Sequence, residues 1–228
     1  MIALVVAAHP DDEVLGCGGT IAALAAQGHE VHVHILAEGA TSRWAEREAA
    51  DDGSVDALKD QAARAAAVLG VEAIVLHGLP DNRLDTVPLL DVVKIIESVI
   101  EAIRPEVVYT HHSGDLNIDH AVVHRAVVTA TRPLESSPVR EVLAFEIPSS
   151  TEWSFQQFGT FRPNVFVDVS DALDLKLQAI ACYESEGRAF PHPRSAEALA
   201  AIAKRWGSVA GCASAEAFEL IRSIRHGA

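Results

Sequence analysis

The first 110 residues repeat one pattern, a short run rich in Val, Ile or Leu followed by a longer stretch of helical character. Ile2 to Ala8, His29 to Leu36, Val71 to Leu76 and Glu106 to Thr110 read as strands, the first buried on both faces and the second alternating. Between them lie an Ala-rich segment closed by Gly28, a charged segment from Glu46 that ends at Gly70, and an amphipathic Val92 to Ile103 stopped before Pro105. Strands that alternate with helices pair in parallel through right-handed crossovers, so few topologies remain. The pattern predicts an α/β fold, a mostly parallel sheet flanked by helices. Further on, Val142 to Ile147 and Val165 to Val169 read as strands, and 171–184, 196–206 and Ala215 to Ile224 as helices. With 228 residues, 49% of them hydrophobic, and no long linker or internal repeat, the chain is expected to form a single domain, 1–228.

The first strand stops abruptly at His9-Pro10-Asp11-Asp12-Glu13. In an open α/β sheet, ligands bind beyond the carboxyl ends of the strands, which puts His9, Asp11 and Asp12 at the rim of the crevice. His and Asp are ordinary zinc ligands, and a second Asp offers a base that need not touch the metal. The same acids also suit a solvated turn or the positive end of the following helix. The fourth strand runs into a second cluster, His111-His112-Ser113-Gly114-Asp115-Leu116-Asn117-Ile118-Asp119-His120, with His124 one helical turn on. In a parallel sheet both clusters share one rim. His120 then completes a three-ligand set with His9 and Asp12, leaving a position for water. His124 is a rival fourth ligand, and Asp119 is placed to orient a ligand His.

Other rim residues are candidates for substrate contact: Arg43 after the second strand, and Asp81 and Arg83 after the third. Asp81 and its neighbours also suit an Asx-type turn. His32 and His34 share a strand face, more in keeping with a partly covered polar surface than with a metal site. Gly16, Gly18 and Gly19 resemble a phosphate turn, but the acidic pentad separates them from the strand, so close packing of helix on sheet is the expected role. A formal charge of −14 and a pI near 5.1 argue against nucleic acid as a partner. No stretch approaches the length of a membrane span, the apolar start lacks signal-peptide features, and Cys17, Cys182 and Cys212 make no close pair. A cytoplasmic protein with free thiols is expected, with apolar surface to spare for a homo-oligomer.

His9-Pro10-Asp11-Asp12-Glu13 with its Gly-Gly-Thr helix, and Asn117-Ile118-Asp119-His120, resemble the PIG-L/LmbE-like N-acetylglucosaminyl deacetylase superfamily. Leu79 to Asp85 and Pro191-His192-Pro193-Arg194-Ser195 extend the resemblance over most of the chain. It implies a Rossmann-like fold, a Zn2+ ion held by His9, Asp12 and His120, Asp11 as general base, and small-molecule N-acetylated sugars as substrates. An amidase acting on a larger acyl group of a thiol-glycoconjugate is the nearest alternative. A nucleotide-binding module without catalysis is the alternative from another class. The chain departs from the family at Asn117, where many members carry an oxyanion-donating His, and at Tyr183, where many carry His near the C-terminus. An amide donates but cannot be cationic, so the donor is either Asn117 or a histidine among His192, His111 and His112, with His192 preferred for the prolines that flank it.

Overall fold

The computed structural model describes residues 1–39 and 52–225. β1 (Ile2–Ala7) is buried on both faces, which is why it needs no alternation. Ala3, Val5 and Ala7 face a layer formed by α1 (Asp12–Ala26), α2 (Asp52–Leu69) and α5 (Leu173–Ala181). Leu4, Val6 and Ala8 face the opposite layer, formed by α3 (Leu89–Ile103) and α4 (Ile118–Ala130). The sheet has seven strands in the order β3-β2-β1-β4-β5-β7-β6, with β2 Glu30–Ala37, β3 Ala73–Leu79, β4 Val107–His111, β5 Glu141–Phe145, β6 Val165–Asp168 and β7 Ala215–Ser223. β1 pairs in parallel with β2 on one side and β4 on the other, and β4 with β5. The strand order therefore reverses between β1 and β4. That is the switch point where diverging crossovers leave a crevice.

The expected helix at Ala215 to Ile224 is instead β7, antiparallel to β5 and to β6. Its apolar residues suit either period, since Ala215 and Ala217 pack with Trp206 of α6 (Ala196–Ala210) while Phe218 joins the main core. Long-range pairing decides it, because a strand in this slot supplies ladder partners to two neighbours, and a helix would supply none.

α1 is broken at Cys17, whose φ of −146 lies outside the helical range. The break coincides with close packing: a Cβ on Gly16 would overlap the Phe145 ring, and one on Gly19 would sit 3.0 Å from Val169. It also releases backbone groups that a continuous helix would pair. Lys176 donates to the Leu15 carbonyl at 2.8 Å, and Glu216 accepts from the amides of Gly19 at 2.9 Å and Thr20 at 2.7 Å. Lys176 and Glu216 pair with each other at 2.5 Å, both buried. The carboxylate thus occupies the amides that a nucleotide phosphate would need.

Removing Glu216 strands a buried ammonium and two amides. Glu216→Ala is expected to cost about 3–5 kcal/mol, as for other broken buried pairs, measured by urea unfolding. A loss under about 1 kcal/mol would show that the break in α1 is held by packing alone.

Candidate metal centre and active site

Beyond Ala7 the chain must leave the sheet and start α1 within a few residues. Asp11 takes the N-cap position of α1 with φ 104, a left-handed conformation that Asp tolerates better than most residues. Glu13 reaches back to accept the Asp11 amide at 3.1 Å, and the buried Tyr183 hydroxyl donates to the other oxygen of Glu13 at 2.5 Å. Burial pushes the Glu13 carboxyl up to about 7. The tight turn brings Asp12 back under His9, and Asp12 Oδ2 accepts the His9 amide at 2.9 Å.

The β4–α4 connection arrives alongside. His120 Nε2 lies 3.2 Å from Asp12 Oδ2, and His9 Nδ1 lies 3.3 Å from the same oxygen. Among the described residues, two sets of three could hold a metal: His9, Asp12 and His120, and His9, Asp81 and Asp119. The first is better built for one. His120 Nε2 and Asp12 Oδ1 are buried without a hydrogen-bond partner, an arrangement that is costly unless a cation completes it. Each imidazole also has a carboxylate behind it: Asp119 Oδ2 is 3.0 Å from His9 Nε2, and Asp115 Oδ1 is 3.0 Å from His120 Nδ1. Carboxylates in that position fix the ring and its tautomer at metal centres.

The electrostatics agree. Burial opposes charge on both imidazoles, yet the Asp119 and Asp12 carboxylates hold His9 up to about 10, and Asp12 and Asp115 hold His120 up to about 9. Burial also opposes ionisation of Asp12, but His120 and His9 overcome it and keep the carboxyl well below its usual range. The cluster is a negative hole that takes up positive charge, as protons or as a metal ion that displaces them.

Asp11 stands beside this cluster rather than in it. Burial raises its proton affinity well above the usual range, and Arg194, whose Nη1 donates to Asp11 Oδ2 at 2.7 Å, works in the opposite direction. Arg194 Nε donates to Ser149 Oγ at 2.8 Å, so the guanidinium is held at two points.

The remaining candidates fall as follows. Asn117 is the N-cap of α4, its side-chain oxygen accepting the Asp119 amide at 2.9 Å and its NH2 donating to Asn82 at 2.8 Å. The His192 ring lies edge-on to Trp153 with centroids 5.5 Å apart, and its Nδ1 accepts the Arg194 amide at 3.2 Å. His111 Nε2 accepts the Ala8 amide at 2.8 Å, and burial with the stacked His120 ring keeps this imidazole neutral. His112 pairs with Glu219 at 2.7 Å. His124 Nδ1 donates to the His111 carbonyl at 2.8 Å, so it braces the loop instead of joining the three-residue set. Asp81 is buried with Oδ1 3.3 Å from His9 Nε2, under the cluster, whereas Arg83 is exposed. Arg43 lies outside the described residues. His34 and His77 face each other at 3.0 Å on β2 and β3, apart from this site.

Three contributors were not singled out from the sequence. Asp115 sits five residues before His120 in the same cluster, Glu13 has the sequence pattern of a helix-end charge, and Arg194 stands two residues after His192 in one motif. Two residues after the proline-flanked histidine, the longer Arg194 side chain reaches the Asp11 carboxylate.

A doubly wound sheet with a buried His-Asp-His cluster at its switch point defines an α/β protein with a candidate metal centre. The model of the GlcNAc-PI de-N-acetylase family, PIG-L, matches residues 4–131, and the chain belongs to that family. A probable N-acetyl-alpha-D-glucosaminyl L-malate deacetylase 2 of Bacillus cereus is 30% identical over 195 residues, 82% of this chain and 84% of that protein. Diacetylchitobiose deacetylase of Thermococcus kodakarensis is 27% identical over 221 residues, 95% of this chain and 81% of the relative. Among solved structures, the 4-carboxy-2-hydroxymuconate hydratase GalB of Pseudomonas putida superposes with a TM-score of 0.77 at 25% identity, covering 100% of this chain and 99% of that one. Among the described residues, no helix is long and apolar enough to cross a membrane.

The Tyr183–Glu13–Asp11 chain makes a prediction. Tyr183→Phe removes one buried hydrogen bond and is expected to cost about 1–3 kcal/mol, read from thermal or urea unfolding. An unchanged midpoint would mean that Glu13 holds the Asp11 turn without help from the phenol.

Proposed function

We propose that this protein is a zinc-dependent hydrolase that removes the N-acetyl group from an N-acetylglucosamine-type sugar carried on a small glycoconjugate. The observation that carries the reading is the buried cluster of His9, Asp12 and His120, whose ligand atoms all lie within 4.8 Å of one another and whose Asp12 Oδ1 has no hydrogen-bond partner, with the Asp11 carboxylate next door. Two relatives named as deacetylases of N-acetylated sugars support it. The hydratase relative shares the use of water as a reagent, but the substrate amide, not the fold, separates the two chemistries.

His9, Asp12 and His120 would hold the ion. When bound, zinc lowers the pKa of a water to about 7 and polarises the acetyl carbonyl. Asp11, with its raised proton affinity, takes the proton from the attacking water and passes it to the leaving amine. Arg194 opposes the rise in proton affinity that burial imposes on Asp11, and its remaining N–H groups would donate to the oxygen that becomes negative. Arg194 would thus share the oxyanion role with His192, while the NH2 of Asn117 is engaged by Asn82. Asp119 and Asp115 hold the two imidazoles in place. The products are acetate and a free amino sugar.

Acetate release from a panel of N-acetylated sugars, with and without chelator, tests the proposal alongside metal analysis of the purified protein. Asp11→Asn is expected to keep the metal and lose at least ~10²-fold in kcat, the lower range for a general base, whereas His120→Ala loses the metal. Near-full turnover in Asp11→Asn would remove the base assignment.

Arg194→Met is expected to lower kcat by about 10²–10³-fold, as for loss of an oxyanion donor. Because the guanidinium lowers the proton affinity of Asp11, its removal also moves the acidic limb of the kcat/KM profile to higher pH. A limb that stays in place would mean that Arg194 does not act on the base.

A further inference from the structure

The chemistry described above leaves one close pair of imidazoles unused. Nδ1 of His34 lies 3.0 Å from Nε2 of His77, with the ring centroids 5.2 Å apart. Neither belongs to the His9, Asp12 and His120 set. The partner of His34 is not its strand neighbour His32, which pairs with Glu30 at 2.6 Å, but a residue of the next strand.

The sheet builds this meeting. His34 stands in register with Val6 of β1 on one side and Val75 of β3 on the other, so the ladder holds it from both sides. Alternation puts Val75 and His77 on the face of β3 that His34 shares. The register of β2 and β3 shifts between Ile35 and Ala37, and Gly78 follows His77 with φ 70, which glycine adopts without strain. Irregularities of this kind re-aim side chains.

A hydrogen bond accounts for the contact when one ring donates and the other accepts. The same spacing suits a shared cation. A metal–nitrogen bond of about 2.0–2.1 Å sets two ligand nitrogens about 2.9 Å apart at a right angle and about 3.3 Å apart at a tetrahedral one. The 3.0 Å separation lies in that span, so a metal ion can replace the shared proton with little movement of either strand. Burial pushes His34 down to about 4 and lowers His77 too, so both rings are uncharged near neutral pH and have lone pairs to give. His77 is only half-buried, so water reaches its ring. The net charge of −14 favours a cation, and imidazole nitrogen selects zinc, copper or nickel over magnesium and calcium, which take oxygen ligands.

We propose that His34 and His77 form a second metal site, separate from the active centre, that chelates a divalent transition ion such as Zn2+ between His34 Nδ1 and His77 Nε2, with water in its remaining positions. The test counts Zn2+ bound to metal-free protein by equilibrium dialysis, in wild type, His77→Gln and His120→Ala. His77→Gln keeps an amide that can hydrogen-bond to His34 but is a poor zinc ligand, and the residue it replaces is half-buried on an edge strand, so the fold is expected to persist. Wild type should bind one equivalent more than His77→Gln, and His120→Ala should retain the equivalent that His77→Gln loses. Equal uptake by wild type and His77→Gln overturns the site, as does a His120→Ala protein that binds no zinc. If wild type binds a single ion that is lost in His77→Gln and kept in His120→Ala, the second site stands and the assignment of metal to His9, Asp12 and His120 fails. If that single ion is lost in His120→Ala instead, His34 and His77 form a hydrogen-bonded pair and the proposal is wrong.

Discussion

The Asp12 carboxylate is where three parts of the chain are tied together. One oxygen accepts the His9 amide at 2.9 Å, which folds the end of β1 back on itself, and lies 3.2 Å from His120 and 3.6 Å from His111, which arrive from β4 and α4. Its partner oxygen is buried with nothing to bond. A carboxylate at that depth would ordinarily be protonated, since burial disfavours its charge. Here the surrounding imidazoles keep it ionised, and further carboxylates at Asp81, Asp115 and Asp119 surround those imidazoles in turn. The fold concentrates more negative than positive charge at one point, and a divalent cation is the most compact way to balance it.

The sheet makes that concentration possible. β1 and β4 are neighbours in space although separated by more than 90 residues in sequence, and their carboxyl ends open on the same side at the point where the crossovers diverge. A helix starting at Asp12 adds its positive end beneath the cluster. The break at Cys17 then lets α1 settle against Phe145 and Val169, which sets the height of the acidic turn above the sheet. Lys176 and Glu216 replace the hydrogen bonds lost at the break, so two side chains remote from the acidic turn hold the helix that follows it.

Much of this was legible in the sequence, for physical reasons that can be named. β1 reads as buried because seven apolar residues run without a polar break, and its chemical end reads as a site because apolar runs rarely end in an imidazole and three acids without cause. The parallel half of the sheet follows from alternation alone. β7 did not, because Ala-Glu-Ala-Phe-Glu-Leu suits either period and its strand character comes from β5 and β6. Asp119 was legible as a group that orients histidine, but not that it serves His9 rather than its neighbour His120, because that partner comes from a strand more than 100 residues away in sequence. Arg194 was hidden for a related reason: a flexible side chain's target depends on the loop that carries it, and that loop's path is fixed by contacts with Ser149 and Trp153.

The contrast between Asp11 and Asp12 shows how adjacent, chemically identical groups acquire different roles. Both are buried, and both lose water on folding. Asp12 points among imidazoles and is held as an anion, the condition a metal ligand needs. Asp11, turned the other way by its left-handed backbone, meets one guanidinium and the carboxylates of Asp12 and Glu13, and its affinity for a proton rises. A group that must accept a proton from water and then release it to an amine needs that intermediate condition, neither fully paired nor fully isolated. Glu13 sustains it indirectly, by holding the Asp11 amide and therefore the backbone angle that keeps the two carboxylates pointing apart. Were Asp11 to relax to an ordinary right-handed conformation, its carboxylate would swing away from Arg194, and the contrast between the two carboxylates would be lost.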